Sequence, residues 1–445
     1  MIPFQRCALS VFTMAWAVLV CSQPTLIFQE QFETAGAPSL SPQWVWSGNA
    51  PTSVVDCDGG WGIRKEVPPP GEPNSPTQPV RWLFHPLPHD ALVDYSATVR
   101  SAVPPVIPSA PHFVHATICW FNVATGTPVD WNFGSGVSAS ETCDPFVGGI
   151  PTPPLPSDPQ AQFGVLIYGE RSPVTSVGHY DLAEVRVETY ERRAMFTGTV
   201  LLGGAFDATT QRMRATLNQQ GLVPLTEPYT ALGYPQVGGG GGEITTTTVL
   251  NTNYPSGRVV DWVRLELRSA GNPAQLVATR QALVLQDGRI VSTTGQFGIL
   301  FNVLHGNYFV AVRHRNHLGV MTGSTITVPY PGGGVWSYFF ATPNPGFACY
   351  GTTPRNVQGN VALLWPGDVT SDHQVKYVGN GNDRDPILTA IGGSSPTNIL
   401  TGQYRPEDVN LDGVVKYIGT DNDRDIILQT IGGSTPTAVR TEQVP

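Results

Sequence analysis

Residues 408–434 read DVNLDGVVKYIGTDNDRDIILQTIGGS, and residues 368–394 read DVTSDHQVKYVGNGNDRDPILTAIGGS. The two stretches correspond residue by residue, so this part of the chain is a tandem duplication. We call residues 368–394 copy one and residues 408–434 copy two. Each copy has an acidic loop followed by an apolar run that ends at paired glycines. This pattern predicts a loop and a short helix in each copy.

The acidic loop of copy two has oxygen-bearing side chains at alternate positions. Asp408, Asn410 and Asp412 follow the spacing of the first half of an EF-hand loop, in which side-chain oxygens and one backbone carbonyl surround a hard cation. Gly413 permits the sharp turn, but Gly419 stands where such a loop has its closing Glu, so a later carboxylate has to close the site. The predicted Ca²⁺ ligands are Asp408, Asn410, Asp412, Val414, Asn422, Asp423 and Asp425 in copy two, and Asp368, Thr370, Asp372, Gln374, Asn382, Asp383 and Asp385 in copy one.

The order loop, helix, loop, helix resembles a dockerin domain, the calcium-dependent docking module of secreted carbohydrate-active complexes. The resemblance implies a Ca²⁺-dependent fold and a cohesin partner. The copies depart from the dockerin pattern by an insertion, residues 416–421 in copy two. Copy one also has His373 in place of the turn glycine and Thr370 in place of the asparagine. The alternative interpretation is that these Asp and Asn residues form ordinary turns on a solvated surface.

The composition favours β-structure. The 445 residues include 48 Gly and 41 Pro, and only 13% of them are charged. Such a chain is typical of several all-β modules joined by turns. The net charge of −9, without a basic patch, argues against binding to nucleic acid or to anionic membranes. The predicted fold class is mainly β: a jelly-roll-like sandwich, a transthyretin- or immunoglobulin-like sandwich, and a small C-terminal loop-helix calcium-binding repeat.

Residues 1–22 have the features of a signal peptide. Arg6 supplies a short positive region, and the apolar run that follows it is too short to span a bilayer comfortably. The mature chain is expected to start near Gln23, with lipidation at Cys21 as the alternative. No later segment is long and apolar enough to predict a membrane span. We therefore expect a secreted or cell-surface protein.

Residues 23–192 are predicted to form a jelly-roll-like β-sandwich. Short strands with alternating apolar positions are separated by proline-rich spacers, and the first strand (26–32) is expected to pair with the last (179–190). This layout resembles the jelly-roll modules attached to secreted carbohydrate-active proteins. In an oxidising environment Cys119 and Cys143 are the expected disulfide pair.

Five tryptophans of this module leave two interpretations open. Aromatic faces bind the apolar faces of sugar rings, so a flat aromatic platform would indicate a glycan site. Large aromatic side chains more usually fill the core of a sandwich, and we favour that interpretation for each of them. The residues concerned are Trp44, Trp46, Trp61, Trp120 and Trp131.

Residues 194–332 are predicted to form a transthyretin- or immunoglobulin-like β-sandwich. The stretches DWV (261–263), ELR (266–268) and VRHRNHLG (312–319) resemble a module repeated in large secreted proteins of the Bacteroidota, which implies a structural or adhesive role. Residues 333–366 are expected to connect this sandwich to residues 367–445, the duplicated dockerin-like calcium-binding repeat. His314 and His317 would point to opposite faces of a strand unless a turn lies between them. We therefore expect polar anchoring there, and not metal binding or catalysis.

The sequence contains none of the local motifs of hydrolases, metalloproteases, nucleotide-binding proteins or dinucleotide-binding proteins, so we expect no enzyme. One predicted function is that of a secreted, non-catalytic surface or extracellular protein for adhesion or assembly. The alternative is an accessory carbohydrate-binding or enzymatic component of a polysaccharide-degrading system, docked through the repeat. The expected partner is a protein or a glycan at the cell surface, and the oligomeric state stays open.

Overall fold

The computed structural model describes residues 25–32, 43–47, 51–55, 61–67, 80–102, 112–129, 145–151, 156, 158–171, 178–331 and 337–445. The predicted signal peptide (residues 1–22), Trp131 and Cys143 lie outside these residues. The described chain divides into two compact units, one ending at Arg192 and one running from Arg193 to Pro445. No helix in the described ranges is long and apolar enough to cross a membrane.

The described residues of the first unit form two antiparallel sheets. Its strands are β1 (Thr25–Gln31), β2 (Val45–Trp46), β3 (Thr52–Val55), β4 (Trp61–Val67), β5 (Val80–Pro86), β6 (Val93–Ala102), β7 (His112–Asn122), β8 (Thr127–Pro128), β9 (Pro145–Pro151), β10 (Gln162–Arg171) and β11 (Gly178–Glu191). One sheet has the order β3-β4-β11-β6-β9, with β1 also on β11, and the other has the order β2-β5-β10-β7-β8. The predicted pairing of the first and last strands is confirmed, because Thr25 lies opposite Thr189.

The core of the first unit lies between its two sheets. Val165 and Ile167 of β10 point into it, together with Val185 and Val187 of β11. This alternation is what a half-buried strand requires, since successive side chains point to opposite faces. The prediction of a jelly-roll-like β-sandwich is confirmed.

The opposite face of the five-stranded sheet is also apolar. It carries a second buried cluster, which we call the outer aromatic cluster: Trp82, Phe84, Cys119, Phe121, Leu166 and Tyr168. Cys119 has a free thiol, and its expected disulfide partner, Cys143, lies outside the described residues. Burial in this cluster raises the pKa of the Cys119 thiol to about 12, which keeps it protonated and unreactive.

In its described residues, the second unit contains a six-stranded and a three-stranded sheet, several hairpins and four short helices. Its strands are β12 (Arg193–Thr199), β13 (Phe206–Asp207), β14 (Arg212–Met213), β15 (Val259–Ser269), β16 (Asn272–Leu285), β17 (Ile290–Val291), β18 (Ile299–Leu304), β19 (Gly306–His314), β20 (His317–Met321), β21 (Ile326–Val328), β22 (Ser337–Phe339), β23 (Asn356–Gln358), β24 (Val361–Leu363), β25 (Gln374–Lys376), β26 (Ile399–Thr401), β27 (Val414–Lys416) and β28 (Val439–Thr441). Its helices are α1 (Thr216–Gln219), α2 (Thr247–Asn251), α3 (Arg384–Ala390) and α4 (Asp423–Thr430), with a 3₁₀ turn at Pro345–Phe347.

A single apolar core joins the two larger sheets of this unit. The six-stranded sheet has the order β17-β16-β15-β19-β20, with β21 also on β19, and the three-stranded sheet has the order β18-β12-β22. Trp262 and Leu265 of β15 pack with Phe196 of β12 and Phe301 of β18 in that core. Leu411, from the loop of copy two, belongs to the same core, so the sandwich and the duplicated repeat share buried apolar surface.

The two copies fold together, and each contributes one strand to a two-stranded sheet whose other strand lies outside the copies. β27 of copy two pairs with β26, which lies between the copies, and β25 of copy one pairs with β28, which follows copy two. A separate apolar cluster unites the copies and includes Val375, Ile387, Val415 and Ile427. The predicted loop and short helix are present in both copies.

Candidate calcium loops

The loop of copy two gathers three of its predicted ligands around one turn. Asp408 accepts hydrogen bonds from the backbone N–H of Asp412 (3.1 Å) and of Gly413 (2.8 Å). Asn410 Oδ1 accepts from the Asp412 N–H (3.0 Å), and Asp412 Oδ1 accepts from the Val414 N–H (2.8 Å). Leu411 and Gly413 hold this turn with positive φ values of 58° and 81°. The alternating oxygens therefore lie in one compact loop.

Asp423 contacts the same loop from the start of α4, and its carboxylate serves to hold the loop backbone in place. One of its oxygens accepts from the N–H groups of Val409 (2.7 Å) and Asn410 (3.3 Å), and the other accepts from the Lys416 N–H (2.8 Å). These three bonds hold both ends of the loop against the helix. Asp423 lies behind the loop, and its oxygens are largely committed to backbone donors.

Two buried carboxylates therefore lie close together in copy two. Asp408 and Asp423 are both fully buried. Burial raises the pKa of Asp423 to about 8, and the nearby Asp408 charge contributes to that rise. Burial also raises the pKa of Asp408 to about 6. Such a pair favours either a proton or a cation, because two negative charges in a desolvated loop repel each other.

Asn422 and Asp425 serve the helix. Asn422 is the N-cap of α4, with its Oδ1 accepting from the Asp425 N–H at 3.0 Å. The carboxylate of Asp425 accepts hydrogen bonds from Arg424 (2.8 Å) and from the Asn422 side chain (2.8 Å). In copy one, Asn382 and Asp385 make the same contacts. The structure therefore does not bring these four predicted ligands into the loops.

Asp421 is a residue of the loop that the sequence patterns did not single out. Its carbonyl oxygen accepts a hydrogen bond from Asn410 Nδ2 at 3.0 Å, so it lies against the predicted ligands. Its φ of 55° is uncommon for a residue other than glycine. The signal in the sequence was the alignment of the copies, in which Gly381 corresponds to Asp421.

In copy one, Asp383 holds the loop backbone in the way that Asp423 does in copy two. Asp383 accepts from the N–H groups of Val369 (2.8 Å), Thr370 (3.0 Å) and Lys376 (2.8 Å). The carboxylate of Asp368 accepts from the Asp372 N–H (3.1 Å). Burial, together with the Asp383 charge, raises the pKa of Asp368 to about 7, and burial raises that of Asp383 to about 6. Asp372 Oδ1 accepts from the Gln374 N–H at 3.0 Å, which completes the turn.

The donor chemistry of copy two fits Ca²⁺. Carboxylate, amide and carbonyl oxygens are the ligands that this ion takes in proteins. In the part of the chain that the structure describes, no three His, Cys, Asp or Glu side chains converge closely enough to hold a metal by themselves. A Ca²⁺ ion in copy two would therefore be held by Asp408 and Asp412 together with the Asn410 amide oxygen, backbone carbonyls and water.

A hairpin tip of the sandwich fixes the loop of copy two. Asn316, between β19 and β20, donates from Nδ2 to the carbonyl oxygens of Pro406 (2.9 Å) and Asp408 (2.8 Å). Arg315 donates to the Arg405 carbonyl and forms an ion pair with Asp261 at 3.1 Å. Arg315 and Asn316 are fully buried, so the loop backbone is anchored by donors that have no access to water.

The turn at this hairpin tip brings His314 and His317 together. Their Nδ1 atoms lie 3.0 Å apart, which a continuous strand would not allow. His314 Nε2 contacts the Asp261 carboxylate at 3.1 Å, and His317 Nε2 accepts from the Gly204 N–H at 3.0 Å. Burial lowers the pKa of both imidazoles. They are therefore neutral polar anchors within the buried network.

The second contact between the sandwich and the repeat is made at copy one. The carboxylate of Glu442 forms an ion pair with Arg313 and accepts from the Gly319 N–H at 2.6 Å. Its Oε1 also lies 3.4 Å from His373 Nδ1. The duplicated repeat is thus held to the sandwich at both copies.

The tryptophans of the first unit divide between core and surface. Trp44 and Trp120 are buried in the core, as the favoured interpretation requires. Trp46 is 38% exposed on β2, at the edge of its sheet. The side chains of Trp61 and Trp131 lie outside the described part of the structure.

Comparison with known proteins assigns no family to the chain. No family model matches it, and no curated protein matches it in sequence. Among solved structures, it is similar to the xylan-binding CBM22-1 domain of Xyn10C from Paenibacillus barcinonensis (13% identity, TM-score 0.24, 38% of this chain and 96% of that chain). The tandem CBM22-1–CBM22-2 structure of the same protein gives 12% identity and a TM-score of 0.27 over 63% of this chain and 86% of that chain. A Stig cyclase from Fischerella sp. TAU gives 12% identity and a TM-score of 0.18 over 38% of this chain and 99% of that chain.

Proposed function

We propose that the chain is a secreted or cell-surface, non-catalytic protein for adhesion or assembly, whose duplicated repeat is stabilised by Ca²⁺. The observation that carries the proposal is the buried carboxylate pair of copy two, Asp408 and Asp423. A divalent cation at the loop neutralises charge that the fold has removed from water. Its binding free energy then adds to the stability of the folded state.

The effect of the ion extends beyond the loop. The backbone at Asp408 is hydrogen-bonded to Asn316 of the sandwich, and Leu411 lies in the sandwich core. Ordering this loop therefore orders the surface on which the sandwich packs. The second unit becomes a stiff body suited to presenting a binding surface to a protein or glycan partner.

Melting of the full chain tests the proposal. At a Ca²⁺ concentration about 100 times Kd, the gain is about 2.7 kcal/mol, which raises the Tm of the second unit by roughly 5–10 °C relative to chelator. Asp412→Ala should abolish this increase, because it removes an oxygen at the loop. Asp425→Asn should retain it, because Arg424 and Asn422 already hold that carboxylate. Equal melting temperatures in Ca²⁺ and in chelator would reject the proposal.

A second candidate function is glycan binding by the first unit. The observation that favours it is Trp46, which is 38% exposed on β2 at the edge of the five-stranded sheet. An exposed aromatic face can pack against the apolar face of a sugar ring.

Retention on immobilised polysaccharide tests the second candidate. Xylan is the first polysaccharide to try, since xylan binding is named for one of the similar structures. Binding that is lost in Trp46→Ala and kept in Trp365→Ala, a tryptophan of the second unit, would place a site on the first unit. Absence of retention on xylan, mannan and cellulose would remove this candidate.

A further inference from the structure

The two copies differ in where an equivalent lysine points. Lys376 Nζ donates to Asp372 Oδ2 at 2.7 Å, and its side chain is only 16% exposed. In copy two, Lys416 Nζ donates instead to the Thr420 carbonyl oxygen at 2.9 Å. The ammonium group therefore contacts a carboxylate of the acidic loop in copy one and a backbone carbonyl oxygen in copy two.

A glycine lies beside the ion pair of copy one. A Cβ atom placed on Gly381 would lie 3.6 Å from Lys376 Nζ and 3.8 Å from Asp372 Oδ2. Gly381 therefore adjoins both members of this ion pair and adds no side chain beside them. Copy two has Asp421 at the equivalent position, which adds a negative charge where copy one has none.

Two other replacements give copy one a hydroxyl group at Thr370 and an imidazole at His373, where copy two has Asn410 and Gly413. The Thr370 hydroxyl donates to Asp383 Oδ1 at 3.1 Å, whereas the corresponding amide oxygen of Asn410 accepts within its own loop. His373, in place of the turn glycine, contacts Glu442 at 3.4 Å. Copy one thus has additional donors and cationic partners beside its carboxylates.

We infer that the ammonium group of Lys376 takes the place of the divalent cation in copy one, so that the chain binds a single Ca²⁺ ion, at copy two. This inference rests on the proposed function. A lysine ammonium is a compact charge with three donors, and it can satisfy carboxylates that a hard cation would otherwise hold. The duplicated module then has one cation supplied by its own chain and one exchangeable ion.

Calcium stoichiometry on the full chain, measured by isothermal titration in chelator-treated buffer, tests the inference. We expect one Ca²⁺ per chain, falling to none in Asp412→Ala and staying at one in the matched variant Asp372→Ala. Lys376→Met should open a second site or, if copy one cannot fold without its cation, lower the Tm. The matched variant Lys416→Met should change neither stoichiometry nor Tm appreciably.

The outcomes separate the inference from the proposed function. No bound Ca²⁺ in the unmodified chain would reject both. Two Ca²⁺ ions per chain would reject the inference and leave the proposed function standing. One ion that is lost in Asp372→Ala and kept in Asp412→Ala would also reject the inference, since the ion would then occupy copy one.

Discussion

Glu266 is a buried carboxylate of the second unit whose negative charge is balanced by three arginines. It lies on β15, nearly fully buried, and forms ion pairs with Arg264 (2.8 Å), Arg268 (2.8 Å) and Arg313 (3.0 Å). Burial alone would raise its pKa, but the three guanidinium groups, Arg313 foremost, outweigh burial and lower the pKa to about 2. The charged form of Glu266 is therefore part of the folded state.

This depressed pKa predicts acid sensitivity. The unfolded chain binds a proton at Glu266 near pH 4.3, and the folded chain binds it only near pH 2, so the stabilisation is present above pH 4.3 and is lost as the pH falls towards 2. Glu266→Gln should cost about 3–5 kcal/mol at neutral pH, because it leaves buried guanidinium groups uncompensated. It should also flatten the dependence of the urea midpoint on pH between 2 and 5.

A surface ion pair provides the control for Glu266. Asp287→Asn removes a partly exposed partner of Arg289, and it should change stability by less than about 1 kcal/mol. Equal losses in the two variants would show that the Glu266 cluster is no more stabilising than a surface pair.

Asn316 is a second residue at which substitution should lower the free energy of unfolding substantially. Asn316→Ala leaves the Pro406 and Asp408 carbonyl oxygens without their buried donor, and we expect a loss of about 2–4 kcal/mol in the free energy of unfolding. Asn316→Asp should lose more, because it places a carboxylate beside two carbonyl oxygens. Denaturant titration measures both losses. A loss below 0.5 kcal/mol (about the scatter of a surface substitution) in Asn316→Ala would contradict this role for the hairpin tip.

At the scale of elements, matching substitutions at the starts of helices α3 and α4 distinguish helix capping from metal binding. Asn422→Ala removes the N-cap and should cost about 1 kcal/mol, and Asn382→Ala should cost a similar amount at α3. Neither variant should reduce the increase in Tm produced by Ca²⁺. Loss of that increase in Asn422→Ala alone would instead show that Asn422 is a ligand, as its place in the acidic cluster first suggested.

Local elements were predictable because their signals are local. The duplication, the loop and short helix of each copy, and the alternating strands all follow from spacing within about ten residues. The role of Asp423 was not predictable from local sequence. Its carboxylate accepts hydrogen bonds from the N–H groups of Val409, 14 residues earlier, and Asn410, 13 residues earlier, and these groups meet only after the loop has closed. The identity of the helix caps was likewise ambiguous among adjacent Asn and Asp residues.

The least predictable part was the burial of charge. Nothing local to β15 indicates that Arg264 and Glu266 are buried on the face opposite the sandwich core, since alternation with charged residues usually marks a solvated face. Likewise, the turn at Arg315 and Asn316 brings the two histidines beside it together, which a continuous strand would not allow. Both features depend on residues far along the chain that cover them.

At the scale of the molecule, the duplicated repeat is part of the second unit's fold. Tyr404 donates to the buried Asp261 at 2.5 Å, and Glu442 pairs with Arg313, so removing the repeat would expose or unpair charges that are otherwise buried. A chain that ends at Pro366 should therefore lose the folded second unit, while residues 193–445 expressed alone should keep it. Limited proteolysis with circular dichroism checks both shortened chains. A protease-resistant 193–331 fragment from the truncated chain would contradict this prediction.

The nested strand pairing of the repeat, with β26 and β27 lying between β25 and β28 in the sequence, bears on the order in which it can form during synthesis. β25 leaves the ribosome well before β28, the strand that borders it, and copy two is made in between. Although copy one comes first in the chain, its strand β25 has an unpaired edge until β28 has been translated. A nascent polypeptide stalled between the copies would expose that edge to chaperones or to neighbouring chains, so the repeat is expected to form in one late cooperative step.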